Sequence, residues 1–170
     1  MAEFESVTRQ IEKEIANDLT EWRAAKGRPA IRLSQALSSS ARYMAARDAA
    51  GQGVHCRMDN RPPLERAQIV GNFLGEEVIE FFATGAVNSS ELSSRITSDP
   101  KFQEAIQRDD INETGVGIAG NGINLFCRVQ LGARKSAPIP NEPQQRDFPD
   151  QMPPAVELWG DALWKLPRDA

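Results

Sequence analysis

Apolar residues recur at three- and four-residue steps near the start of the chain. Phe4, Val7, Ile11, Ile15, Leu19 and Trp22 fall on one side of a helix over residues 3–26, and charges fill the other side. Gly27 followed by Pro29 ends it. A second helix is expected from about Ser34 to Ala50, with Leu37, Ala41, Met44 and Ala45 as its stripe and Gly51 closing it. Its many small residues suit close packing against another element. Residues 51–63 read as a loop rich in turn formers, and a short helix is expected over Pro63–Val70. The apolar run over 73–82 fits strand or helix, since so short a run has no decisive period. A helix from Ser89 to Ile96 follows, with Ser89 or Ser90 as N-cap, and another starts near Asp99 with Pro100 at its first position.

Then the period changes to two. The runs Thr114–Ala119 and Ile123–Leu131 flank Gly120-Asn121-Gly122, a hairpin signal. Ile123, Leu125, Cys127, Val129 and Leu131 alternate with polar or larger residues, which puts one face on a core. Past Gly132 prolines accumulate and core formers thin out. Residues 133–170 therefore read as a Pro-rich extension, closed by a short amphipathic helix with Val156, Trp159, Leu163 and Leu166 on one side. This tail would dock on its own domain or on a neighbouring chain. The sequence-level division is residues 1–132 and residues 133–170.

Composition narrows the function classes. Hydrophobic residues make up 40% of 170 and charged residues 26%, ordinary for a globular protein. A formal net charge of -4 argues against binding nucleic acid through phosphate contacts. No apolar stretch approaches the roughly 18 residues that span a bilayer. The first residues lack the basic and apolar regions of a signal peptide, so the expectation is a cytoplasmic protein, or a secreted one if a leader was removed. Two cysteines, Cys56 and Cys127, either form one bridge or remain small buried apolar residues.

Several segments, in order, resemble the CAP superfamily (cysteine-rich secretory protein, antigen 5 and pathogenesis-related 1; SCP-like) in its short bacterial form. Thr20, Arg23, Gly27 and Pro29 resemble its "N-x-x-R-x-x-x-G-x-P" segment, with Thr20 in place of Asn. His55, Pro63, Glu65 and Arg66 resemble "H…P-[FL]-[DE]-R". Gly75-Glu76-Glu77 resembles "G-E-N", with Glu77 in place of Asn. Ser98-Asp99-Pro100 to Ile106 resembles "S-P-G-H-R-x-N-I", and Gly115-Val116-Gly117-Ile118-Ala119 resembles "G-V-G-x-A". The resemblance covers about residues 11–132. It implies an α+β fold, a three-layer α-β-α sandwich around a small antiparallel sheet. The other arrangement compatible with the pattern is a helical domain with an appended hairpin.

The resemblance also implies a cleft with two histidines and acidic residues, which in several members binds a divalent metal such as zinc. The ligand cleft here would hold His55, Glu76, Glu77 and Phe102. Counting back thirteen from Gly115 places Phe102 where the second histidine belongs, and Ala105 where its partner Asn belongs. His55 and Glu76 supply two metal ligands, whereas zinc takes three or four N, O or S donors. Cys56, Asp59, Glu65 or Glu77 would have to complete the set. The plainer expectation is a degenerate cleft without a metal, in which His55 and Glu76 hydrogen-bond to each other.

His55 is the sole histidine, so a serine triad would have to use it as base. Cys56 and His55 are adjacent, and in an extended segment they point apart. No catalytic residue is therefore assigned. The expected function is a non-catalytic binding module for a protein, lipid or cell-wall ligand, with Phe73, Phe81, Phe82 and Phe102 as candidates for an apolar groove. The competing readings are a divalent-metal hydrolase using His55 and Glu76, and an assembly subunit docking through its tail.

Overall fold

A computed structural model describes residues 2–51 and 60–135. His55, Cys56, Asp59, most of the 51–63 loop and nearly all of the Pro-rich extension, including its terminal helix, lie outside the described residues.

The elements are α1 (Ala2–Ala25), β1 (Arg32–Leu33), α2 (Gln35–Ala49), α3 (Pro63–Gly71), β2 (Glu77–Ala86), α4 (Ser89–Thr97), α5 (Pro100–Ala105), β3 (Ile111–Gly120) and β4 (Leu125–Ala133). The strands form one sheet in the order β1-β3-β4-β2. β4 is antiparallel to both neighbours. The two-residue β1, too short for any period to reveal, runs parallel to β3. The sheet is thus mixed.

Helices cover both faces. Ile15 and Leu19 of α1, Leu92 and Ile96 of α4, and Phe102 of α5 pack with Phe81, Val116, Cys127, Val129 and Leu131 in the larger core. On the opposite face Leu37 of α2 and Ala67 of α3 enclose Phe73 and Val78. Helix–sheet–helix layering is the α-β-α sandwich expected from the motif order. The second face also explains why the polar set of β4 is not solvated: Gln130 is fully buried under α2.

Local chemistry fixes the ends of these elements. Ser34 caps α2, its side chain accepting from the Leu37 N–H, and Asp99 caps α5 by accepting from the Lys101 N–H at 2.8 Å. The cap of α4 is Asn88, not Ser89 or Ser90. Its carboxamide accepts the Glu91 N–H at 2.8 Å while Glu91 reaches back to the Val87 N–H at 3.0 Å, so two donors of the first turn are met reciprocally. The ambiguous 73–82 run resolves into a strand starting at Glu77. Phe73 precedes it as a buried plug beside α2 and α3, and Leu74 is exposed.

The β3–β4 connection takes four residues, not a two-residue Asn-Gly turn. The Asn121 carboxamide accepts the N–H groups of Ile123 (3.1 Å) and Asn124 (2.9 Å), and Gly122 adopts φ +87°. Ile123 consequently sits in the turn and is 82% exposed, outside the inward-facing set.

Candidate functional site

Two of the expected cleft residues, Glu76 and Glu77, stand at the start of β2, and their side chains are held by cations. Lys135 Nζ lies 2.8 Å from Glu76, and both groups are largely exposed. Arg108 donates to both Glu77 carboxylate oxygens, at 2.9 and 2.6 Å, and also grips Asp110 through two bonds. The fork of the guanidinium suits this double grip. Its hydrogen bonds hold the carboxyls of Glu77 and Asp110 below their ordinary ranges and push the Arg108 guanidinium up.

Phe102 is fully buried. Its ring meets Phe81 edge-on at 5.2 Å between centroids and tilts against Trp22 at 6.2 Å. It is a core residue with no donor atom. Among the described residues no group of three or more His, Cys, Asp and Glu side chains is placed to hold a metal ion. The described part of the cleft therefore does not fit a zinc centre, and no chemical step is derived through one. The partner that His55 finds lies outside the described residues.

The four phenylalanines do not share one groove. Phe73 belongs to the α2/α3 face, Phe81 and Phe102 to the opposite core, and Phe82 alone is exposed, at 64%. The Arg128 guanidinium lies 4.9 Å from the Phe82 ring centroid. Cys127 is a free, buried thiol whose pKa burial pushes up, so it forms no bridge with Cys56 and is a poor nucleophile.

Sequence reasoning did not anticipate an ionic cluster between the sheet and α2/α3. Glu80 of β2 accepts from Arg66 of α3, from Arg128 Nη1 at 3.0 Å and from Gln130 Nε2 at 2.7 Å. Arg128 also donates to both Asp48 oxygens, at 2.6 and 2.8 Å, and Gln130 to Ser40 Oγ at 3.0 Å. Two arginines, two carboxylates and a carboxamide thus cross-link α2, α3, β2 and β4. The alternation in β4 put Arg128 and Gln130 on one side, which was the available signal. That a second helical layer would bury that side was not readable from β4 itself. Such a cluster orients elements more surely than it stabilises them, because its desolvation opposes its Coulomb gain.

Another buried ion pair closes an edge of the sheet. Glu12 of α1 accepts Arg42 in a bidentate pair (2.9 and 2.7 Å) and the Ile118 N–H of β3 at 3.2 Å. It therefore satisfies β3 where β1 has already ended.

No family model and no curated protein sequence matches this chain. Solved structures do. An outer surface protein of Borrelia burgdorferi superposes with a TM-score of 0.65 at 16% identity, covering 75% of this chain and 96% of that one. A cysteine-rich secretory protein of Staphylococcus aureus gives 0.59 at 10% identity, over 75% of this chain and 39% of that one. An extracellular protein with an SCP domain from Bacillus anthracis gives 0.59 at 11% identity, over 76% and 42%. This chain thus spans less than half of the latter two. At such identities the likeness establishes the fold: this is the α+β sandwich of the CAP superfamily.

Proposed function

We propose that this CAP-type fold is a non-catalytic binding module acting on a protein, lipid or cell-wall ligand. The observation that carries the reading is the state of the cleft positions. The counterpart of the second histidine, Phe102, is packed on Phe81 and Trp22 inside the core. Glu76 and Glu77 face Lys135 and Arg108 rather than converging on an open site. A metal-bound water would need several converging donors and an open coordination position, and the described residues offer carboxylates paired with cations instead. The printed descriptions of two structural neighbours, an outer surface protein and an extracellular protein, support a setting outside the cytoplasm. Among the described residues no helix is long and apolar enough to cross a membrane.

Calorimetric titration of metal-stripped protein with zinc, with His55→Ala as control, tests the reading. The expected result is no site-specific heat in either protein. Near-stoichiometric binding lost in the variant would reject the degenerate cleft and restore the hydrolase reading based on His55 and Glu76.

A further inference from the structure

A sheet edge carries main-chain donors and acceptors that something must meet. On the β3 side β1 pairs with Glu113 and Thr114, and Glu12 takes the Ile118 N–H. The β2 edge is treated differently. Arg95 of α4 donates to the Thr84 carbonyl near the end of the strand. In an antiparallel strand the N–H and C=O of one residue point to the same side. With Thr84 facing outward, Phe82 and Glu80 present their main-chain groups outward as well.

A cavity of 470 Å³ lies along this stretch. It is lined by the consecutive residues 79–82 of β2. Successive side chains of a strand point to opposite faces, so a cavity touching all four follows the strand's edge and not one face. Its other wall is Lys101, Glu104 and Ala105, one side of α5, with Arg108 just beyond. An edge strand facing a helix across a groove is the arrangement that takes up an extended peptide as an added strand.

We propose that the groove between β2 and α5 binds an extended, uncharged peptide segment of a partner protein by strand addition to β2. This deepens the binding-module reading and rests on it. The outward main-chain groups of Glu80 and Phe82 would pair with the peptide backbone. One apolar side chain would enter beside Ile79 and Phe81, and its neighbour would lie along the exposed Phe82 ring. The charges of the groove favour an uncharged segment. Arg108 is gripped by Glu77 and Asp110, Glu80 by Arg66 and Arg128, and Asp99 caps α5. Lys101 and Glu104 then leave the helical wall with one charge of each sign. A second copy is a poorer occupant, since pairing through the same edge would bring its own α5 into the same gap.

The test is selection of a random seven-residue peptide library on the full chain, followed by calorimetry and amide exchange on the peptides recovered. Expected are peptides alternating apolar and small polar residues, which slow exchange at Glu80 and Phe82. Their affinity should fall about tenfold or more in Glu104→Trp, which fills the groove from an exposed position, and in Phe82→Ala. Unchanged affinity in both variants overturns the site, and failure to recover any peptide overturns the ligand class. A concentration-dependent dimer abolished by Glu104→Trp overturns the choice of occupant. Binding of phosphatidylglycerol vesicles or of peptidoglycan, measured alongside, separates these failures from failure of the binding-module reading. If peptides, vesicles and peptidoglycan all fail to bind, both are rejected.

Discussion

Arg23 is the largest side chain buried almost completely, and its partners are main-chain carbonyls. Nε donates to Pro29 O at 2.7 Å, and Nη1 to Ile106 O at 2.6 Å and Arg108 O at 3.3 Å. One guanidinium thus ties the end of α1 to the loop after it and to the turn between α5 and β3. Burial lowers its pKa, yet a guanidinium stays charged, so the carbonyl dipoles must offset the desolvation. Arg23→Met strands these acceptors and should cost about 2–4 kcal/mol in urea unfolding. Phe102 gives a second residue-scale expectation. Phe102→His restores the residue type of the CAP pattern but places an imidazole between Phe81 and Trp22. It should lose about 3 kcal/mol of stability and gain no zinc affinity by calorimetry. Zinc binding with unchanged stability would contradict the assignment of this position to the core.

At the scale of elements, the close approach of α2 to the sheet explains the Gly115-x-Gly117 pair. A Cβ added at Gly117 would lie 2.2 Å from the Ala41 carbonyl carbon, and one at Gly115 2.2 Å from that of Leu37. These are backbone atoms of α2 and cannot swing aside. The small residues of α2 and the glycines of β3 are therefore two halves of one contact. Gly117→Ala should force α2 off the sheet and cost about 1–3 kcal/mol, read as a lower urea midpoint. The displacement would also strain the Asp48–Arg128–Glu80–Arg66 cluster, which needs α2, α3 and the sheet in register. Gly122→Ala is the control: it meets nothing within 4 Å, so any cost there comes from its positive φ alone.

For the whole molecule, the acid limb of stability is the informative quantity. Glu77 and Asp110 have folded-state pKa values held below the ordinary 4.5 and 3.8, chiefly by hydrogen bonds from Arg108. A depressed carboxyl stabilises the fold above its ordinary pKa, and that contribution is lost as pH falls through its folded value. Stability should thus decline below about pH 4.5, and Arg108→Gln should make the decline shallower in urea midpoints taken across that range. An unchanged slope would mean that these exposed pairs contribute nothing measurable.

Much of the fold was readable because local patterns carry it. The helical stripes of α1 and α2, Pro100 at the start of α5 and the alternation in β4 each depend on near neighbours in the chain. The ordered motifs from Arg23 to Gly117 placed those elements in a CAP-type sandwich, and Phe102 marked the altered cleft. The two-residue β1, the Asn88 cap and the four-residue turn were missed, since each depends on which of several equivalent residues wins a local hydrogen bond or a strand partner. The pairing of Glu77 with Arg108, the burial of Glu80 and Gln130, and the groove between β2 and α5 join residues 14 to 90 positions apart or more. Periodicity along the chain fixes which side a residue faces. What waits on that side is set by the packing of other elements, and only the tertiary structure decided it.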